Sequence, residues 1–133
     1  MFAYHRAGIE RKRADTIRIA ASRADRLQEA VDLADGVLAA RLAALPGIGP
    51  WTVAEVVAVG LGDPDAVSVG DFHLPHLVAW NLAREPRATD ARMLELLAPF
   101  VPHRGRVIRL LERYGEGAPR FGPRLPVRSI AAI

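Results

Sequence analysis

The sequence has no cysteine among its 133 residues. That removes disulfides, thiolate zinc sites and iron–sulfur clusters from the chemistry open to it. It has no uninterrupted apolar run near the ~20 residues of a membrane span, although half of its residues are apolar. A soluble chain with no membrane partner is therefore expected. The opening Met1–Arg6 has no apolar stretch behind its charge, so no secretory leader is expected and a cytoplasmic location fits. There are no internal repeats and no low-complexity blocks. The length suits one domain with a serviceable core, and it is short for an enzyme with an enclosed pocket.

Lysine is nearly absent too: Lys12 stands alone among 18 basic residues, and the formal net charge is +3. Arginine matches phosphate oxygens with a planar two-pronged donor, which suits a polyanionic partner. A coding bias toward Ala, Arg, Gly and Pro gives the same composition, and both readings stay open.

What is present is helical periodicity. Ala14, Ile17, Ala21 and Ala24 recur every three to four residues and predict a helix from Arg11 to about Ala24. Leu27, Ala30, Val31 and Ala34 predict a second from Ala24 to about Ala34, with Asp32, Asp35 and Gly36 leaving its end open. Val37, Leu38, Arg41, Leu42 and Leu45 form the stripe of a short third helix that Pro46 must stop. Thr52–Gly60 is apolar on every face except Glu55, so it is expected to be the buried central helix. After a break at Gly60–Pro64, a helix is expected to start at Asp71 as its N-cap, with Leu74, Leu77, Val78 and Leu82 inward and Pro75 in the first turn. Thr89 or Asp90 caps the next, carrying Met93, Leu94 and Leu97. The last is expected to turn Val107, Leu110, Leu111 and Tyr114 inward and to end at Gly115. The sum is an all-α domain of five to seven helices over 1–114, with a hairpin at 37–60 and a tail over 115–133.

The chemistry concentrates at Leu45-Pro46-Gly47-Ile48-Gly49-Pro50-Trp51-Thr52, with Asp71 lying 22 residues after Gly49. Gly47 and Gly49 let the backbone take positive φ and approach a ligand closely, and Pro50 presets φ for the next helix. The N–H groups at that helix start suit a phosphate and would grip a nucleic-acid backbone without reading its sequence. Gly47, Gly49 and Thr52 are the candidate contacts. Asp71 at a helix start is held ionised by N–H donors. It can serve as a cap, as a catalytic carboxylate, or as both.

This string, the apolar helix after it and the Val-Gly-Asp of 69–71 resemble the helix-hairpin-helix DNA glycosylases, most of all the 3-methyladenine DNA glycosylase II branch. The resemblance runs from about Arg6 to Tyr114. It implies a monomeric DNA repair enzyme of base excision, cytoplasmic and nucleoid-associated, that flips a damaged nucleotide out of duplex DNA and hydrolyses its N-glycosidic bond. It places the catalytic aspartate at Asp71. It also implies a monofunctional enzyme, because Trp51 stands where the lyase members carry a nucleophilic lysine.

Glu55, Phe72 and His103 stand where the better-known alkylpurine enzyme has aromatics, and with Trp51 they form the candidate base pocket. Trp51 can be a wall for the base or a core residue. Glu55 can supply charge complementarity, or be a solvated or ion-paired side chain. Arg104 and Arg106 can grip flanking phosphates or be solvated. Asp71, His73 and His76 have the spacing of metal ligands but no fourth partner, so no catalytic metal is expected. The resemblance further implies a monovalent cation on the backbone carbonyls of Ala43, Leu45 and Ile48, and no other cofactor. Against the family the chain is short, and it is expected to lack the N-terminal part of the fold. Two rival readings follow: a non-catalytic DNA-binding hairpin module, and an inactive fragment that needs another polypeptide.

Overall fold

The computed structural model describes residue 4, residues 7–33 and residues 36–119. Over these residues the chain is all-α, with no strand. Its helices are α1 (Arg11–Ala21), α2 (Ala24–Val31), α3 (Val37–Ala43), α4 (Pro50–Gly60), α5 (Leu74–Ala83), α6 (Asp90–Leu97) and α7 (Arg104–Tyr114), with a 3₁₀ turn at Ala98–Phe100 before α7. The second helix, expected to reach about Ala34, ends at Val31 with Asp32 as its C-cap, while residues 34–35 and the tail from residue 120 onward lie outside the described residues. Among the described residues no helix is long and apolar enough to cross a membrane.

Local chemistry accounts for the helix starts. Pro50 opens α4 and Pro75 sits in the first turn of α5, where a missing N–H costs nothing. Thr89 caps α6, its Oγ1 accepting the Arg92 N–H at 3.3 Å. One expectation is corrected here: α5 begins at Leu74, and His73 rather than Asp71 holds the N-cap position. Asp71 caps from two residues further upstream.

The apolar side chains gather in two clusters. Leu74 and Val78 of α5 meet Met93 and Leu97 of α6 and Ile108 of α7, with Val67 and Val69 of the preceding connection packed against them. Ala30 of α2 meets Leu38 and Leu42 of α3, joined by Ile48 and Val53. The α4 helix is not the enclosed central helix that its composition suggests. It buries Ala54 and Val57 but leaves Val56 exposed and Val59 76% exposed. Composition reports how apolar a helix is, whereas the number of neighbours decides how many of its faces are covered.

The α7 helix also turns a different face inward. Leu110 and Tyr114 are exposed, while Gly105 and Ile108 are buried. The cause is the seat of its first turn. The Arg106 N–H donates to Pro64 O at 3.0 Å, and a Cβ on Gly105 would stand 2.8 Å from Ala66 O and 2.9 Å from Pro64 O. Only a residue without a side chain allows that approach, which fixes the helix's rotation. Likewise Leu82, expected inward, is exposed at the end of α5. Gly105→Ala is therefore expected to destabilise the fold by about 1–3 kcal/mol through overpacking against backbone, measured as a lower urea midpoint.

Candidate active site

The hairpin is built by α3, a turn and α4. Gly47 takes φ +88°, and the turn is pressed against α1. A Cβ on Gly47 would lie 2.1 Å from Thr16 Oγ1, the hydroxyl that donates to Lys12 O at 3.1 Å and approaches Pro46 O at 3.4 Å. Gly49 differs from expectation: its φ is −99°, and nothing lies within 4 Å of a Cβ built on it. The backbone conformation at 49 is open to any residue. What glycine provides there is access to the chain from outside. Among the described residues the N–H groups of Gly49, Trp51 and Thr52 donate no hydrogen bond, while Val53 N–H is taken by Gly49 O at 3.0 Å. Three donors at the positive end of an 11-residue helix thus face outward.

The connection from α4 to α5 brings a carboxylate back to this helix. Gly70 takes φ +91°, and its N–H donates to Asp90 Oδ2 at 3.1 Å, tying the turn to α6. Asp71 then accepts three hydrogen bonds. Its Oδ1 takes the N–H groups of His73 and Leu74 at 2.7 and 2.8 Å, and its Oδ2 takes Trp51 Nε1–H at 3.2 Å. Burial pushes the carboxyl up, but the Leu74 and His73 N–H groups, the Trp51 indole and the nearby His73 outweigh it and hold Asp71 below the usual carboxylate range. The sign for stability follows. A carboxylate whose pKa is lower folded than unfolded contributes stability above its ordinary value of about 4, and that contribution is lost as pH falls through the depressed folded value. Acid titration followed by tryptophan fluorescence is expected to show a transition below about pH 4 that Asp71→Asn removes.

Glu55 lies one turn after Trp51 on the same face of α4. Its Oε1 accepts from Ser68 Oγ at 2.5 Å, and its Oε2 lies 3.7 Å from an Arg109 nitrogen. Ser68 is 8% exposed, and its carbonyl accepts the Asp71 N–H at 3.4 Å. Asp71, Trp51, Glu55 and Ser68 therefore close a ring. Glu55 and Ser68 line a cleft of about 570 Å³ together with Arg106 and Arg109 of α7, and Trp51 and Asp71 are not among its lining residues.

The remaining candidates are placed around this ring. Trp51 is half exposed beside Asp71, and Phe72 is 78% exposed, edge-on to His73 and His76. His103 precedes α7, exposed, and is not among the residues lining the cleft. Arg104 is held by Asp65, Nε to Oδ1 at 2.9 Å and a terminal nitrogen to Oδ2 at 2.5 Å, and this guanidinium keeps Asp65 well below the usual carboxylate range. Arg106 lines the cleft. His76 Nδ1 accepts the Ala88 N–H at 3.1 Å, a structural bond. Ser68, Arg109 and Thr16 were invisible to sequence reasoning. Each is a single polar residue with no local pattern, and each reaches the site from another element.

A helical hairpin with outward N–H groups, joined through an indole to a capping carboxylate, makes a candidate reaction centre in an all-α domain. Comparison with known proteins points to DNA glycosylases. Over 89 residues, 67% of the chain, it is 29% identical to the Bacillus subtilis protein named "Putative DNA-3-methyladenine glycosylase YfjP". Over 35 residues, 26% of the chain, it is 63% identical to a Mycobacterium tuberculosis protein named "Probable bifunctional transcriptional activator/DNA repair enzyme AlkA". The chain spans 31% of the length of the first and 7% of the second. No protein-family model and no solved structure matches it. The similarities support a relationship to DNA glycosylases.

Proposed function

We propose that this chain carries the DNA-gripping hairpin and the catalytic aspartate of a monofunctional DNA glycosylase that excises alkylated, 3-methyladenine-like bases as a monomer in base excision repair. The observation that carries the reading is the 3.2 Å hydrogen bond from Trp51 to Asp71. It joins the helix whose N–H groups face outward to the carboxylate a glycosidic reaction needs. A duplex phosphate bound by Gly47, Gly49 and Thr52, with Arg106 on the neighbouring backbone, holds the flipped nucleotide's sugar near Asp71. As the N-glycosidic bond breaks, positive charge grows on the sugar, and the Asp71 carboxylate stabilises it or orients the attacking water. Water is the nucleophile because Trp51 has no amine to offer, and an abasic site remains. Trp51 and Phe72 supply aromatic faces for the base, and His103, exposed just before α7, is a further candidate contact.

The carbonyls of Ala43, Leu45 and Ile48 are proposed to hold a monovalent cation. Leu45 O accepts the Ile48 N–H at 3.1 Å, which leaves it a lone pair, and such a cation would stiffen the turn without taking part in the reaction. Arg104, engaged by Asp65, is proposed to act on DNA only through the position of α7.

The test is release of free base from duplex oligonucleotides carrying single alkylated or deaminated bases. Release by this chain supports the enzyme. Duplex binding with no release favours the binding module, and failure to fold favours a fragment.

A further inference from the structure

We propose that Glu55 selects the base, favouring nucleobases that present an N–H donor or positive charge on the edge far from the sugar over those that present a carbonyl there. This rests on the glycosylase reading above. The argument is one of placement. With the sugar at Asp71, a base stacked on Trp51, whose indole N–H donates to that carboxylate at 3.2 Å, lies on the α4 face that carries Glu55 one turn on. One turn separates neighbouring side chains by ~5–6 Å, which is within the reach of a purine. The cleft that Glu55 and Ser68 line together with α7, of about 570 Å³, lies within the range of small-ligand sites, ~300–1,000 Å³, and Trp51 and Asp71 stand outside its lining, so Glu55 is the group that joins the two.

Glu55 is held for this task without being used up. Ser68 Oγ donates to one of its oxygens at 2.5 Å. Arg109 lies 3.7 Å from the other, beyond hydrogen-bonding distance, and turns a second nitrogen to Glu112 at 3.2 Å. A carboxylate is an acceptor only. A base with an amino group or ring N–H facing it gains a hydrogen bond to a charged group, and a cationic base gains attraction as well. A base that presents a carbonyl with no ring N–H beside it sets acceptor against acceptor and leaves Glu55 Oε2 desolvated with no hydrogen-bond donor. Trp51 stacks neutral bases of either kind about alike, so the selection between them falls to Glu55.

The experiment compares two duplexes that carry either a 6-amino purine or a 1-methyl-6-oxo purine, which keeps the carbonyl and has no ring N–H, each mismatched and each on a 2′-fluoroarabino sugar that resists cleavage. The wild-type chain is expected to bind the 6-amino duplex about tenfold or more tighter. Glu55→Gln, whose amide both donates and accepts, is expected to bring the ratio near unity. Arg109→Gln, which removes the neighbouring positive charge and leaves the carboxylate, is expected to raise it. A merely structural ion pair would move both variants the same way. A wild-type ratio of one, an unchanged ratio in Glu55→Gln, or a fall in Arg109→Gln overturns the proposal. If Glu55→Gln fails to fold, the direction of the Arg109→Gln change decides. Release of base from cleavable duplexes is scored separately: selective binding without release overturns the catalytic reading and leaves the assignment of Glu55 standing.

Discussion

Asp71→Asn is expected to lower the rate of base release by about 10²–10³-fold, the usual cost of removing a group aimed at charge that develops in the transition state. Binding to the same duplex is expected to hold within about threefold, since phosphate contacts dominate affinity and none is assigned to Asp71. Asparagine suits the test because its side-chain oxygen can still accept the N–H groups of His73 and Leu74, now at 2.7 and 2.8 Å from Asp71 Oδ1. The start of α5 is thereby kept while the charge is lost. Single-turnover release measured beside duplex affinity separates the two roles. Equal losses in both would mean that the aspartate serves only the fold or the grip.

Gly47→Ala should be the most damaging change in the hairpin. An L-residue at φ +88° costs roughly 1–2 kcal/mol, and the new methyl must displace the Thr16 hydroxyl that would stand 2.1 Å away. Together a loss of about 2–4 kcal/mol is expected, along with weaker duplex binding, because the turn and α1 must separate. Pairing the change with Thr16→Gly should restore the part due to the clash and leave the part due to the dihedral, a split that urea unfolding of the four proteins resolves. Gly49→Ala gives the contrast. With φ −99° and open space around the Cβ, it should keep its stability within about 0.5 kcal/mol. Duplex binding should still fall, since the methyl stands where the backbone would meet a phosphate.

Some of this was legible from residue order because it depends on neighbours in the chain. Proline after α3 and at the start of α4, threonine before α6 and the three- to four-residue apolar spacing act within a few residues, so the all-α class and most helix positions could be read directly. The candidate carboxylate was legible for the same reason, as a polar residue placed just before an apolar helix. Gly47 was read correctly as needing positive φ, and Gly49 was not. A Gly-x-Gly string says that two side chains must be absent, but not whether the need is conformational or steric.

By itself, then, the sequence determined helix class, helix order and the hairpin with its downstream aspartate, all consequences of local backbone preference and periodicity. Only the tertiary structure decided which faces are covered. It left the apolar α4 half open, turned Ile108 rather than Leu110 and Tyr114 inward by seating Gly105 on the backbone of Pro64 and Ala66, and gave Arg104 to Asp65. It also closed the ring of Asp71, Trp51, Glu55 and Ser68, and set Thr16 behind the hairpin turn. Apart from the Asp71–Ser68 backbone bond, those contacts join residues from 13 to more than 30 positions apart. Their geometry depends on how whole helices pack, which no local pattern encodes.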